Sequence, residues 1–155
     1  MSRAFIEALL RGPEPGSQSA PTPESNAVAS VTGIPAIGEI WAEQGGIYAG
    51  VSRGKDGSLD AHIVLLDATP ENDLSWADAV SWAEGLGNDA RLPTRFESAL
   101  LYANLRDKLD TERWHWTGTQ FLGSSAFGQY FDNGFQDYYG KKSKGRARAV
   151  RRVSI

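Results

Sequence analysis

Nine of the sixteen aromatic residues lie between positions 114 and 139: Trp114, Trp116, Phe121, Phe127, Tyr130, Phe131, Phe135, Tyr138 and Tyr139. They are interleaved with Gly, Ser, Gln, Asn and Asp. Such a mixture suits recognition, because a rigid ring supplies contact area at little entropic cost while Ser, Gly and Asn supply adaptable hydrogen bonds. A stacking platform for sugar rings has the same makeup. Trp114 and Trp116, two apart on a predicted strand, share one face, and Phe131 reads as an inward residue. Glycines at 118, 123, 128, 134 and 140 interrupt a regular strand pattern. That leaves Phe121, Phe127, Tyr130, Phe135, Tyr138 and Tyr139 as candidate ligand-binding residues on loops. Aromatic loops folded back over the core would give the same composition.

The inventory for covalent or acid–base chemistry is thin. The chain has no Cys, so it has neither a thiolate nucleophile nor a disulfide. His62 and His115 each fall in a predicted strand, where a satisfied structural histidine accounts for both. No Gly-x-Ser-x-Gly elbow supports a Ser-His-Asp arrangement, and zinc needs three or four ligands that two separate His do not supply. Asp132, Asn133 and Asp137 cluster around Gly134, yet calcium takes about six to eight oxygens and such residues commonly form turns. The expectation is a non-enzymatic protein with no cofactor and no metal. A carbohydrate-active enzyme is the alternative; it would need Asp132 and Asp137 to face each other across a cleft of about 5–10 Å.

Whatever these residues do, helices and strands must hold them. Arg91-Leu-Pro-Thr-Arg-Phe-Glu reads as a sharply defined helix start. Thr94 caps through its hydroxyl, Glu97 reaches back to the cap amide, and Pro93 keeps Leu92 extended. The helix predicted from Thr94 to Arg106 carries Phe96, Leu100 and Ala103 on one side and Leu101 and Leu105 on the other, so cover on both sides is expected. An earlier helix starts at Ser75, with Ser75 and Asp78 as a cap pair. Trp76, Ala79, Val80 and Ala83 face inward, and Gly85 or Gly87 ends it. Glu39–Trp41 and Ile47–Val51 have strand composition. Arg53–Gly57 is a turn in which Asp-Gly supplies the positive φ, and Ala61–Leu66 is the return strand. A strand at Trp114–Thr117, the glycine-punctuated segment 118–145 and a last strand at about Ala147–Val153 follow. Strands early and late around two helices give an α+β class.

A chain of 155 residues has room for one domain with a substantial core and some excess. Residues 1–11 read as a short amphipathic helix, with Phe5, Ile6, Leu9 and Leu10 on one side. From 12 to about 33 the Pro/Ser/Gly-rich sequence reads as a flexible linker, so the domain is expected at 34–155. An apolar tag on a tether suits docking onto a larger assembly; a frayed terminus without a role is the alternative. The apolar run Ala4–Leu10 is shorter than a bilayer span and carries Glu7, so neither a membrane anchor nor a signal peptide is expected.

The helix Ser75-Trp-Ala-Asp-Ala-Val-Ser-Trp-Ala-Glu, then Arg-Leu-Pro-Thr at 91–94, Trp-His-Trp-Thr at 114–117 and Arg-Ala-Arg-Ala-Val-Arg-Arg at 146–152 occur in that order. Together, over roughly residues 38–153, they resemble the C-type-lectin-like domain at the C-terminus of bacterial collagen-like adhesins, long filed as a domain of unknown function. Its relatives recur in bacteriophage structural proteins. The resemblance implies a C-type-lectin-like fold, two helices packed on twisted antiparallel sheets, with 146–153 on the closing strand. It implies a virion protein made in the bacterial host cytoplasm: a tail, baseplate, fibre or head appendage. Its partners would be a host cell-surface receptor or glycan, other virion proteins through residues 1–33, and a second copy of itself in a homo-oligomer. A variable receptor-binding protein of a diversity-generating retroelement, where this fold displays hypervariable loop residues, is the alternative. Two related activities are not carried over. The formylglycine-generating oxidases work through a cysteine pair, and the calcium-dependent lectins use Glu-Pro-Asn or Gln-Pro-Asp and Trp-Asn-Asp triplets; all of these are missing from the sequence.

Net charge is −3, unevenly spread. Residues 141–155 hold seven of the sixteen Lys and Arg and no acid, so nine cations face nineteen acids elsewhere, a balance of −10. A basic end could contact phosphates. On a closing strand, however, Arg148 and Arg152 alternate with Arg151 across the pleat, which disperses the charge, and nucleic-acid binding is the weaker reading.

Overall fold

The computed structural model describes residues 33–155; the helix read at 1–11 and almost all of the linker read at 12–33 lie outside the described residues. The fold is built around one hairpin. In the turn Arg53–Gly57, Asp56 and Gly57 both take positive φ, 54° and 86°, as the Asp-Gly pair suggests. Strands β2 (Gly46–Ser52) and β3 (Ala61–Leu66) pair antiparallel on either side of it, with a bulge between Tyr48 and Gly50. The short β1 (Ile40–Trp41) adds outside β2, and the last strand adds beside β3, giving a four-stranded sheet. All six residues of β3 are buried, because the strand is central and covered on both faces. Its alternation sends Val64 and Leu66 into one apolar cluster and Ile63 and Leu65 into the other.

Helix α1 (Trp76–Gly85) starts at Ser75, whose hydroxyl accepts from the Asp78 amide, and buries Ala79 and Ala83. Helix α2 (Arg95–Leu105) has the full capping box: the Glu97 amide donates to Thr94 Oγ1 at 3.1 Å, and the Thr94 amide donates to Glu97 Oε1 at 2.9 Å. One side of the four-stranded sheet packs Ala49, Ile63, Leu65 and Val150 against Leu101 and Leu105 of α2 and against Phe131. The other packs Tyr48, Val64 and Leu66 with the alanines of α1 and with Trp116. Cover on both sides of α2 is not what forms. Phe96 is 57% exposed, Ala103 is exposed and Leu100 half-buried. The buried face instead includes Glu97, which turns inward to an arginine pair; Phe96, one residue earlier, is swung about 100° away.

The glycine-rich segment forms a second sheet rather than loops. Strands β4 (His115–Phe121), β5 (Ser125–Gln129) and β6 (Gln136–Gly140) pair antiparallel in sequence order. Two of its glycines make room for a ring. A Cβ at Gly128 would lie 2.7 Å from Trp114 Cε3, and one at Gly145 would collide with the same indole. The closing strand β7 (Val150–Ser154) is shorter than the expected Ala147–Val153. Before it reaches β3, the chain bridges other elements: Gly145 exchanges backbone hydrogen bonds with Leu74, and the Arg146 amide donates to Trp114 O. Among the described residues the architecture is thus α+β, two α-helices with two antiparallel sheets, and the first and last strands described share one sheet.

Candidate functional site

Register decides where the six candidate rings point. Phe127 pairs with Tyr138 across β5 and β6, and Ala126 pairs with Tyr139, so the two tyrosines face opposite sides. On the inner side Tyr139 stacks on Trp114, centroids 4.0 Å apart and planes at 3°. Burial, reinforced by a hydrogen bond with Tyr130, pushes its phenol up to about 12. On the other side Phe121 stacks on Tyr138 at 4.3 Å and meets the edge of Phe127 at 5.4 Å. Tyr138 is 52% exposed, and Phe135, in the turn between β5 and β6, is 56% exposed. The structure therefore gathers Phe121, Phe127 and Tyr138, directs Tyr130 and Tyr139 toward each other, and holds Phe135 at a turn.

The β4–β5 turn extends this face with an apolar residue that sequence reading passed over. Leu122 has φ 49° and is 81% exposed, next to Gly123 at φ 66°. An ordinary side chain in the left-handed region costs about 1–2 kcal/mol, and such strain concentrates at functional positions. At 81% exposure, Leu122 has little packing among the described residues to offset it.

Cations continue the strip toward α2. The Arg95 guanidinium lies 3.8 Å from the Phe127 centroid, a cation–π contact. It is aimed by Gln136, whose Oε1 accepts from Arg95 Nε at 3.1 Å while its amide nitrogen donates to Arg95 O and Gln129 Oε1. Gln129, fully buried, donates in turn to Ser98 O at 2.8 Å. This amide relay clamps the start of α2 to the sheet. Beyond it, Lys55 Nζ sits 4.7 Å from the exposed ring of Phe96. The order along the surface is Tyr138, Phe121, Phe127, Arg95, Phe96, Lys55. A groove of about 730 Å³ adjoins Phe96, with Val51 and Leu100 among its apolar lining and Arg53, Lys55 and Arg152 among its polar lining. Arg95, Phe96 and Lys55 were not legible as site residues. The one available signal was Glu97: a capping-box glutamate turned inward obliges its neighbour to face out.

The other residues with chemical potential are occupied structurally. His62 Nδ1 is 2.8 Å from the Tyr48 hydroxyl. His115 packs edge-on to Phe131, and burial lowers its imidazole to about 4, so it is neutral at physiological pH. Asn133 Oδ1 accepts from the Phe135 amide and Asp137 Oδ1 from the Tyr138 amide, while Asp132 is exposed. Among the described residues no group of three or more His, Asp or Glu is placed to hold a metal ion. The basic end is largely engaged within the fold. Arg146 pairs with Asp73 and Asp110, Arg148 donates to Leu66 O, and Arg151 donates to Gln44 O and Asn88 O.

No family model matches this chain, and no curated protein matches it. Among solved structures it is similar to the crystal structure of botrocetin, a C-type-lectin-like fold. The TM-score is 0.46 at 9% sequence identity, over 67% of this chain and 97% of that one.

Proposed function

We propose that this domain is a C-type-lectin-like, non-enzymatic binding module whose contact surface is the outer face of β4–β6 together with the Leu122 turn. The observation that carries the reading is the continuous row of rings on that face, ending in an exposed Tyr138 and a strained, exposed Leu122. Core packing has no use for either residue, whereas aromatic anchors commonly dominate contact energies. The setting we propose is a bacteriophage virion: a tail, baseplate, fibre or head appendage protein that contacts a host-surface receptor or glycan. Residues 1–33, which combine an apolar stretch with a Pro/Ser/Gly-rich one, would attach it to neighbouring virion proteins. The support for that setting is the ordered motif set of residues 75–84, 91–94, 114–117 and 146–152.

The test is adsorption of the labelled full chain to a panel of bacterial cell envelopes. Tyr138→Ala with Phe135→Ala should leave the melting temperature within about 2 °C of wild type, since half-exposed rings bury little area. Binding should weaken by roughly thirtyfold, the equivalent of about 2 kcal/mol. Unchanged adsorption by the double variant, or no envelope bound by the wild type, refutes the assignment.

A further inference from the structure

Adjacent to the aromatic face, the groove beneath the Arg53–Gly57 turn has a composition of its own. One wall is the ring of Phe96, its apolar lining includes Val51, Ala99 and Leu100, and its polar lining includes Arg53, Lys55 and Arg152. Its volume, about 730 Å³, lies within the range of roughly 300–1,000 Å³ usual for small-ligand sites. The carboxylates nearby are already satisfied. Glu97 takes both Arg91 nitrogens at 2.6 and 2.7 Å, and Asp60 takes the Gly54 amide at 2.7 Å and Arg53 at 3.2 Å. Lys55 forms no ion pair among the described residues and hovers over Phe96 instead. Arg152 is paired with Glu97, itself part of the lining, at 3.8 Å, so Lys55 is the uncommitted cation of a groove with an exposed ring in its wall.

We infer that this groove takes an acidic saccharide unit, its pyranose face against Phe96 and its carboxylate at Lys55 and Arg53. The inference rests on the binding-module reading above and names the ligand class for the surface that adjoins Phe96. Rings and cations alternate from Phe127 through Arg95 and Phe96 to Lys55. A polymer that alternates apolar sugar faces with carboxylates matches that order. A neutral glycan would leave Lys55 without counter-charge, Arg53 and Arg152 having theirs in Asp60 and Glu97, and an acidic peptide would leave the ring without a partner.

The experiment is calorimetric titration of the full chain with three acidic probes: a galacturonate hexamer, a hyaluronan hexamer and sialyllactose. Cellohexaose and hexaglutamate serve as the neutral and peptide comparisons. At least one acidic saccharide should bind tighter than about 1 mM, with an affinity that falls as salt rises, and at least tenfold tighter than cellohexaose or hexaglutamate. Lys55→Glu and Phe96→Ala should each weaken it tenfold or more, while Lys142→Glu, the same charge change outside the groove, should not. Both groove residues are exposed, and an unchanged melting temperature confirms that the variants fold. Failure of all three acidic probes, equal binding of hexaglutamate, or indifference to the groove variants overturns the inference. If envelope adsorption is lost in the Tyr138→Ala, Phe135→Ala variant yet survives Lys55→Glu and Phe96→Ala, the groove assignment alone has failed. Adsorption unaffected by either set overturns the binding-surface reading itself.

Discussion

Leu122→Asn should make the domain more stable and a poorer binder. Leu122 and Gly123 both sit in the left-handed region, φ 49° and 66°, the conformation that Asn-Gly supplies in hairpin turns at little steric cost. An L-residue pays about 1–2 kcal/mol there, and Asn, several-fold enriched in that region, is relieved of part of it. At 81% exposure the leucine loses almost no buried area on replacement. The net gain is therefore about 1 kcal/mol. For a domain of roughly 120 residues, with unfolding entropy of about 2.1 cal/mol/K per residue, that gain raises the melting temperature by about 4 °C. If the leucine tip inserts into the partner, its loss removes apolar contact of the order of 1 kcal/mol, or about fivefold in affinity.

The two readouts test separate links. Scanning calorimetry reads the strain, and envelope adsorption reads the contact. A melting temperature equal to or below that of wild type would refute the strain argument, for then something holds the leucine in place. A stabilised variant that adsorbs as well as wild type would show that the strained tip does not touch the partner. The trade of stability for contact is the expected signature of a functional outlier.

Three further predictions concern the scaffold. Glu97 is 2% exposed; burial alone would raise its carboxyl, but the hydrogen bonds and charge of Arg91, the Thr94 amide and the charge of Arg152 together hold it below the usual 4.5. Glu97→Gln should cost about 2–3 kcal/mol at pH 7, less than a fully buried pair because Arg91 is partly exposed. The depressed pKa means that this difference is complete above about pH 4.5 and shrinks as pH falls through the folded value; a pH-independent difference in denaturant midpoint would refute it. His115, lowered to about 4 mainly by burial, is protonated more readily in the unfolded chain, so wild-type stability should fall as pH drops from about 6.5 toward 4. His115→Gln should flatten that slope, which urea titrations at several pH values can measure. Gly145→Ala should destabilise by about 1–3 kcal/mol through overpacking against Trp114, visible as a thermal shift and as a change in near-ultraviolet dichroism.

What could be read from the sequence was whatever depends on neighbours along the chain. The Thr94–Glu97 capping box, the Ser75 cap and the Asp56-Gly57 turn each need only three or four consecutive residues, and each formed as expected. Glycine misled because its local meaning is ambiguous. Gly128 looks like a strand breaker, yet both it and Gly145 are vacant space for one ring, Trp114, which sits just ahead of β4. Pairing of β5 with β4 and the bridge between Gly145 and Leu74 bring both vacancies to the same indole. That sheet in turn sorts the tyrosines. Tyr139 is drawn to Trp114 by the glycine vacancy, so Tyr138, one residue earlier, must point outward and complete the row with Phe121 and Phe127. The surface thus follows from the packing of a single tryptophan, and its location required the long-range pairing that no window of sequence contains.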